Sequence, residues 1–379
     1  MPHPTPGPAT RLLHEMVQAA SPNPPGDEVA VAEVIRGFLA GVPGVTVEDV
    51  GVAPRRPMLV ARLEFARPGP TLLLNGHMDT VPAGDGWTRD PFGAEIDGGR
   101  MYGRGSADMK AGLAGLLVAF GELARRADRL SGAIELHAVP DEEPGGHWGA
   151  EVLLAAGRMR GDFAVVAEPT ELRVFRAQKG NVFVNVTLTG RSAHGSMPHN
   201  GVNAVSAAAR LIADLEDRLG AELATRTHPL VGARTVNVGT IAGGTATNVV
   251  PDRCVLGVDC RVIPGGTVAE ALAELTAFIG DRGTIEPTHL GEPFETPEDD
   301  PLVVAAQAAV AASWGEPKPC GGLVGSSDAR FYAVGAGIPT ILLGPGSLDQ
   351  AHVPDEWVEV AQVEASVPLY IDLAHRLLD

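Results

Sequence analysis

Apolar runs in this chain repeatedly stop at a residue able to bind a metal, and that repetition limits the fold more than any other feature. Thr71–Asn75 leads into His77 and Asp79, Ala133–Val139 into Asp141, Glu142 and Glu143, Phe163–Ala167 into Glu168, and Pro339–Leu343 precedes His352. Short unbroken apolar runs read as strands buried on both faces, the signature of a parallel sheet covered by helices. Open α/β sheets bind ligands at the carboxyl ends of their strands, so residues distant in sequence converge there. His77 and Asp79, two apart, leave their strand in one direction. Alone, such a pair is equally a polar strand end. Together with Asp108 and the later acids it reads as part of a two-metal hydrolase centre.

The chain has 379 residues, 45% of them hydrophobic and 20% charged, enough for two compact units with sizeable cores. A formal net charge of −18 argues against a nucleic-acid backbone or an anionic membrane surface as partner. It also means that an anionic substrate needs local cations. Cys254, Cys260 and Cys320 are odd in number and lack a paired C-x-x-C arrangement, which suggests neither a disulfide framework nor a thiolate zinc site; Cys254 and Cys260, six apart on one strand face, read as buried thiols. The Pro-rich opening Met1–Pro8 has no basic segment followed by an apolar one, so no secretory signal is expected. No apolar run reaches membrane-spanning length, and a cytoplasmic protein is the expectation.

In chain order, helices are expected at Arg11–Ala20 and from Asp27, as cap, to Ala40, with the turn Ser21–Gly26 between them. Strands follow at Val45–Val50, Met58–Leu63 and Thr71–Asn75. Gly103-Arg104-Gly105 opens like a dinucleotide fingerprint, but the third glycine is missing and Asp108 would repel a pyrophosphate. Asp108 precedes a long helix, Met109–Arg126, where it serves either as N-cap or as metal ligand. From about Gly180 the pattern changes: Val182, Val184, Val186 and Leu188 alternate, and the elements then run β-α-β-β-α-β to about His289, the ferredoxin-like split βαβ order. Residues 181–289 therefore read as a domain inserted into a catalytic domain made of 1–180 and 290–379.

The blocks Gly76–Pro82, Tyr102–Gly112, Asp141–Glu143, Ala167–Thr170, Gly190–Asn203, Thr247–Pro251 and Gly344–His352 resemble, in order, the two-zinc aminoacylase, acetylornithine deacetylase and succinyl-diaminopimelate desuccinylase family of metallopeptidases. The resemblance implies an α/β fold: a mixed-sheet catalytic domain carrying a ferredoxin-like α+β lid and dimerisation domain. It implies two Zn²⁺, with Co²⁺ or Mn²⁺ also acceptable to mixed His/carboxylate ligation. Asp108 would bridge them, His77 and Glu168 completing one site and Glu143 and His352 the other. Glu142 would be the general base, and Asp79 would orient His77. His194, otherwise a polar turn histidine, would stabilise the oxyanion from the partner subunit of a homodimer. Lys179, Asn248, Arg261, Gly325 and Ser326 would hold substrate. On its strand, Arg261 faces away from the apolar side of Cys254, Leu256, Val258 and Cys260, and is either free to line a cleft or tied in a surface ion pair.

The expected reaction is hydrolysis of the amide bond of an N-acyl amino acid, as in acetylornithine deacetylase. A desuccinylase or glutamate carboxypeptidase-like specificity is the alternative within the same chemistry. A metal-free binding protein on this scaffold is the alternative outside it, and the retained ligand types with Glu142 speak against it. A serine hydrolase is excluded by the lack of a G-x-S-x-G elbow.

Overall fold

The computed structural model describes residues 7–126 and 129–379; most of the Pro-rich opening, residues 1–6, lies outside them. The chain divides into two compact units, one formed by Met1–Arg176, Thr296–Gly321 and Ser327–Asp379, the other by Ala177–Glu295 and Gly322–Ser326.

The first unit is built on a mixed sheet in the order Thr46–Asp49, Leu59–Glu64, Ser131–Val139, Arg67–His77, Phe163–Val166, Thr340–Leu342, Phe175–Gln178. Its four central strands, Ser131–Val139, Arg67–His77, Phe163–Val166 and Thr340–Leu342, are mutually parallel, and the flanking strands antiparallel. These four are the runs that end in metal-type residues. The register places His77 opposite Val139, Asn75 opposite Val166 and Leu342 opposite Val166, so all four finish at one edge. This is the α/β architecture expected from the unbroken apolar runs.

Helices cover the sheet. Lys110–Ala124 is buried on nearly every side, packed between Pro8–Gln18 and Val360–Leu378. Its glycines permit this approach: a Cβ on Gly112 would lie 2.0 Å from the carbonyl oxygen of Ala167, just before Glu168. Several ends differ from expectation. Glu28, not Asp27, occupies the N-cap position of Val29–Leu39. The closing helix, which the sequence pattern starts at about Glu356, begins at Val360 because Trp357–Glu359 is drawn into a small antiparallel sheet with Arg100–Tyr102 and Glu95–Asp97. Among the described residues, no helix is long and apolar enough to cross a membrane.

The second unit holds a four-stranded antiparallel sheet, ordered Thr235–Gly243, Arg253–Val262, Gly180–Thr189, Thr284–Gly291. The helices Ala204–Asp214 and Val268–Ile279 pack on it, giving the ferredoxin-like βαββαβ order. Alternation explains the core: Cys254, Leu256, Val258 and Cys260 pair with Leu188, Val186, Val184 and Val182, and all eight are buried. The two cysteines are thus packing groups. A Thr267/Glu270 capping box starts the second helix.

Candidate metal centre

Five side chains meet at the carboxyl edge of the first unit's sheet: His77, Glu143 and Glu168 follow three strand ends, Asp108 comes from a turn and His352 from the loop beyond Thr340–Leu342. His77, Asp108 and Glu168 offer ligand atoms within 4.8 Å of one another, and so do Asp108, Glu143 and His352. Asp108 belongs to both groups because its two oxygens face different histidines: Oδ1 lies 3.2 Å from Nε2 of His77 and Oδ2 3.5 Å from Nε2 of His352. Asp108 is not a helix cap. Met109 takes that position, no side chain caps the helix, and the Asp108 carboxylate is directed into the cluster.

His77 is buried, and its Nδ1 donates to the backbone carbonyl of Asp79 at 2.9 Å, which leaves Nε2 turned to Asp108 and open to a metal. The expected role of the Asp79 carboxylate shifts accordingly. It stands 3.7 Å from Nδ1, and instead accepts the backbone N–H of Glu142 at 3.1 Å and of Glu143 at 3.3 Å. A strand turning out of the sheet at His77 brings the Asp79 carbonyl back under the ring, so the carboxylate is released for the neighbouring loop.

That loop divides its acids. Asp141 has φ 70°, and the positive φ of Gly145 and Gly146 completes a tight turn. Glu142 then faces His77, with Oε2 4.0 Å from Nε2, while Oε2 of Glu143 lies 3.1 Å from Nε2 of His352 and its Oε1 accepts from Val81 N–H. Gly146 is required here, since a Cβ would fall 2.8 Å from Oδ1 of Asp328.

Burial and crowding set the protonation states. Burial, with the nearby carboxylates Glu168, Asp328 and Glu143, pushes Glu142 well above the ordinary carboxylate range. Burial and Asp108 do the same for Glu168, and burial raises Glu143. Burial also acts on Asp108, but the hydrogen bonds from His352 and His77 outweigh it and hold that carboxyl below its usual value. The hydrogen bonds of His352 to Asp108 and Glu143 lift its imidazole to about 10. Acids this crowded are the donor set that divalent cations bind, with oxygen and imidazole ligands and no thiolate.

Residues not singled out in the sequence brace the cluster. Nδ2 of Asn23 donates to Asp79 at 2.9 Å and to Asp141 at 3.0 Å, and its Oδ1 accepts from Arg56. Arg56 also pairs with Asp141. Glu356, buried beside Arg104, accepts the N–H groups of Ala107 and Asp108. Arg330 donates to Gly145 O at 2.7 Å. An asparagine set between prolines in Ser21–Gly26 was a signal beyond chain breaking; nothing in the spacing marks Glu356.

The remaining expected residues lie in the second unit. His194 is exposed, its Nδ1 2.7 Å from Oγ of Ser196, on the short strand Ala193–His194 that pairs with Val249–Val250. Asn248 adjoins it through the Gly195 N–H to Asn248 O bond. Lys179 donates to Ala233 O at 2.6 Å, and burial with the charge of Arg261 lowers its pKa. Arg261 is not left free: Nε and Nη2 donate to Asp259, two residues away on the same strand face. Ser326, beside Gly325, lies 3.5 Å from Nε2 of Gln178.

This fold and these two adjoining groups of carboxylates and imidazoles are those of a metal-dependent hydrolase, and the kinship that follows makes the bond an amide. Residues 73–376 match peptidase family M20/M25/M40, and the chain belongs to that family. It is 35% identical over 305 residues to acetylornithine deacetylase of Proteus mirabilis (strain HI4320), covering 77% of this chain and 76% of the relative. It is 34% identical over 321 residues to acetylornithine deacetylase of Klebsiella pneumoniae (strain 342), covering 80% of each. An M20 family metallo-carboxypeptidase from Sulfolobus solfataricus shares the fold, with TM-score 0.83 and 19% identity over 98% of this chain and 99% of that one.

Proposed function

We propose that this enzyme binds two divalent metal ions, Zn²⁺ in the first instance, and removes the acyl group from an N-acyl amino acid in the manner of an acetylornithine deacetylase. The reading rests on one observation: the two oxygens of Asp108 face two histidines, each accompanied by a further carboxylate. Asp108 would be shared, His77 and Glu168 would hold one ion, and Glu143 and His352 the other. When bound, the ions supply Lewis-acid polarisation of the amide carbonyl and lower the pKa of water.

The chain's own groups do the rest. Glu142, fixed through its backbone by Asp79, takes a proton from the attacking water on a carboxylate oxygen and delivers it to the leaving amine. Asp79 holds the Glu142–Glu143 backbone, and its carbonyl fixes the His77 tautomer. Across a homodimer formed through the second unit, read as the lid, His194 of one subunit donates to the oxyanion developing in the other. Lys179, Asn248, Arg261, Gly325 and Ser326 engage the substrate, Arg261 exchanging Asp259 for the substrate carboxylate. The unit's edge strand Thr235–Gly243 exposes Ile241, a feature that supports a homodimer formed through this domain. The negative charge speaks against nucleic-acid partners.

The kinship with two bacterial acetylornithine deacetylases orders the candidate substrates. The test is hydrolysis of N-acetyl, N-succinyl and dipeptide substrates by chelator-treated protein, with and without added Zn²⁺ or Co²⁺. Metal-dependent release of acetate from N-acetylornithine is expected. Preference for a succinyl or dipeptide substrate would reassign the specificity, and metal-independent turnover would remove the metal reading.

A further inference from the structure

We infer that Glu356 is a positioning residue of the metal centre: it fixes the turn that carries Asp108 to the chain segment that carries His352. The inference rests on the two-metal reading above and adds a residue that binds neither metal nor substrate.

The register of the small sheet brings the two segments side by side. Trp357 pairs with Tyr102, so Glu356 falls against Gly103, whose N–H donates to the Glu356 carbonyl at 2.9 Å. The chain then turns through Gly103–Asp108, and the Glu356 side chain spans the inside of that turn. Oε1 accepts the N–H of Ala107 at 2.8 Å and of Asp108 at 3.1 Å, while Oε2 accepts Nη1 of Arg104 at 2.7 Å. Arg104 is fixed in turn by Ala83 O at 3.1 Å. Glu356 and Arg104 are 1% and 2% exposed, so water does not compete for these bonds.

The contact is specific in what it joins. Glu356 comes four residues after His352, and Asp108 directly precedes Met109, the N-cap of the helix Lys110–Ala124. Asp108 and His352 share a ligand group, yet His352 is exposed in a non-helical segment with φ 64°. Without a link between these segments, the distance from Oδ2 of Asp108 to Nε2 of His352 would depend on a loop. The strand pairing joins them through the backbone as far as Gly103, and the carboxylate of Glu356 carries the link on to Asp108 itself, because a carboxylate accepts from three donors at once. A glutamine cannot replace it, since in either orientation its NH2 would meet a donor, the Arg104 guanidinium or the N–H pair of Ala107 and Asp108.

The experiment compares the full-length wild type with Glu356→Gln and Glu356→Asp, each stripped with chelator and titrated with Co²⁺. Metal affinity and the visible absorption of the bound Co²⁺ are recorded alongside kcat, KM and metal-free melting. Outer contacts of this kind are worth roughly 10–100-fold in metal affinity. We expect a loss of that order in Glu356→Gln, a changed Co²⁺ spectrum, and a fall in kcat with KM nearly constant. Glu356→Asp keeps the charge against Arg104 but withdraws the carboxylate from Ala107 and Asp108, and the same changes are expected. It decides the matter where Glu356→Gln does not fold. A folded variant with wild-type Co²⁺ affinity and spectrum overturns the positioning role. Failure of the wild type itself to bind Co²⁺ overturns the two-metal reading instead.

Discussion

Asp79 touches Glu142 through the backbone, its carboxylate accepting the Glu142 N–H at 3.1 Å, and so controls where the loop's acids point without contacting their side chains. Glu142 is thereby set 4.0 Å from Nε2 of His77 with a raised pKa caused first by burial. Replacing Glu142 by Gln should preserve the shape of the loop and both ligand groups. Turnover should fall roughly 10²–10⁴-fold while bound metal stays at the wild-type level. Rates measured on metal-replete enzyme check this, and undiminished turnover would take Glu142 out of the proton transfer.

Asn23 is the brace behind Asp79, bridging it to Asp141 from a buried position. Asn23→Ala leaves buried carboxylate oxygens short of a donor and should cost about 1–3 kcal/mol of stability. By analogy with other outer contacts of metal sites, activity should drop roughly 10–100-fold. Urea unfolding and kcat on the same preparation test the two effects, and a variant as active as wild type would show that Asp79 holds its place unaided.

Metal binding should release protons. Glu142, Glu143 and Glu168 are raised by burial and crowding in the metal-free protein, and His77 and His352 are raised by their carboxylate partners despite burial. Every one of these groups therefore holds its proton to a higher pH than usual, and cations must displace those on the ligands Glu143, Glu168, His77 and His352. Affinity for Zn²⁺ should climb as pH rises from 6 to 8. Calorimetry in two buffers of different ionisation enthalpy counts the protons. A pH-independent affinity with no proton release would contradict the ligand assignment.

Glu28 offers a test away from the ligands. It is buried with both carboxylate oxygens lacking a hydrogen bond, and Arg56, 3.6 Å away, makes its short contact with Asp141 instead. Burial, then the charge of Asp79, pushes its pKa to about 8. The folded state thus holds a proton that the unfolded chain has lost above its own value of 4.5. Stability from this group is complete below that value and is lost as pH rises toward 8, a decline of about 5 kcal/mol at roughly 1.4 kcal/mol per pH unit. Glu28→Gln should flatten the decline between pH 5 and 8, followed by urea midpoints; an unaltered slope would mean that Glu28 is already ionised.

The sequence made the central sheet readable because buried parallel strands are apolar without interruption and each stops at a ligand-type residue. Phe175–Gln178 was hidden by its arginine and glutamine, and the three-residue strands Arg100–Tyr102 and Trp357–Glu359 are too short for any period to emerge. Of the site, the five ligand-type residues and Glu142 were legible as acids and histidines after strands and in turns. Asn23, Arg56 and Glu356 were not, because their meaning lies in partners far along the chain. The pairing of Arg261 with Asp259 was latent in their i, i+2 spacing. The transfer of Asp79 from ring to loop depends on a backbone turn that composition does not encode.

The sharing of Asp108 between two ligand groups bears on how the protein is made. His77, Asp108 and Glu168 all emerge from the ribosome before the second unit's residues, whereas His352 follows every other ligand in chain order. On the proposed reading, one group is therefore complete in the first half of the chain and the other only near its end, and Asp108, held by Glu356 as well as shared with His352, depends on both.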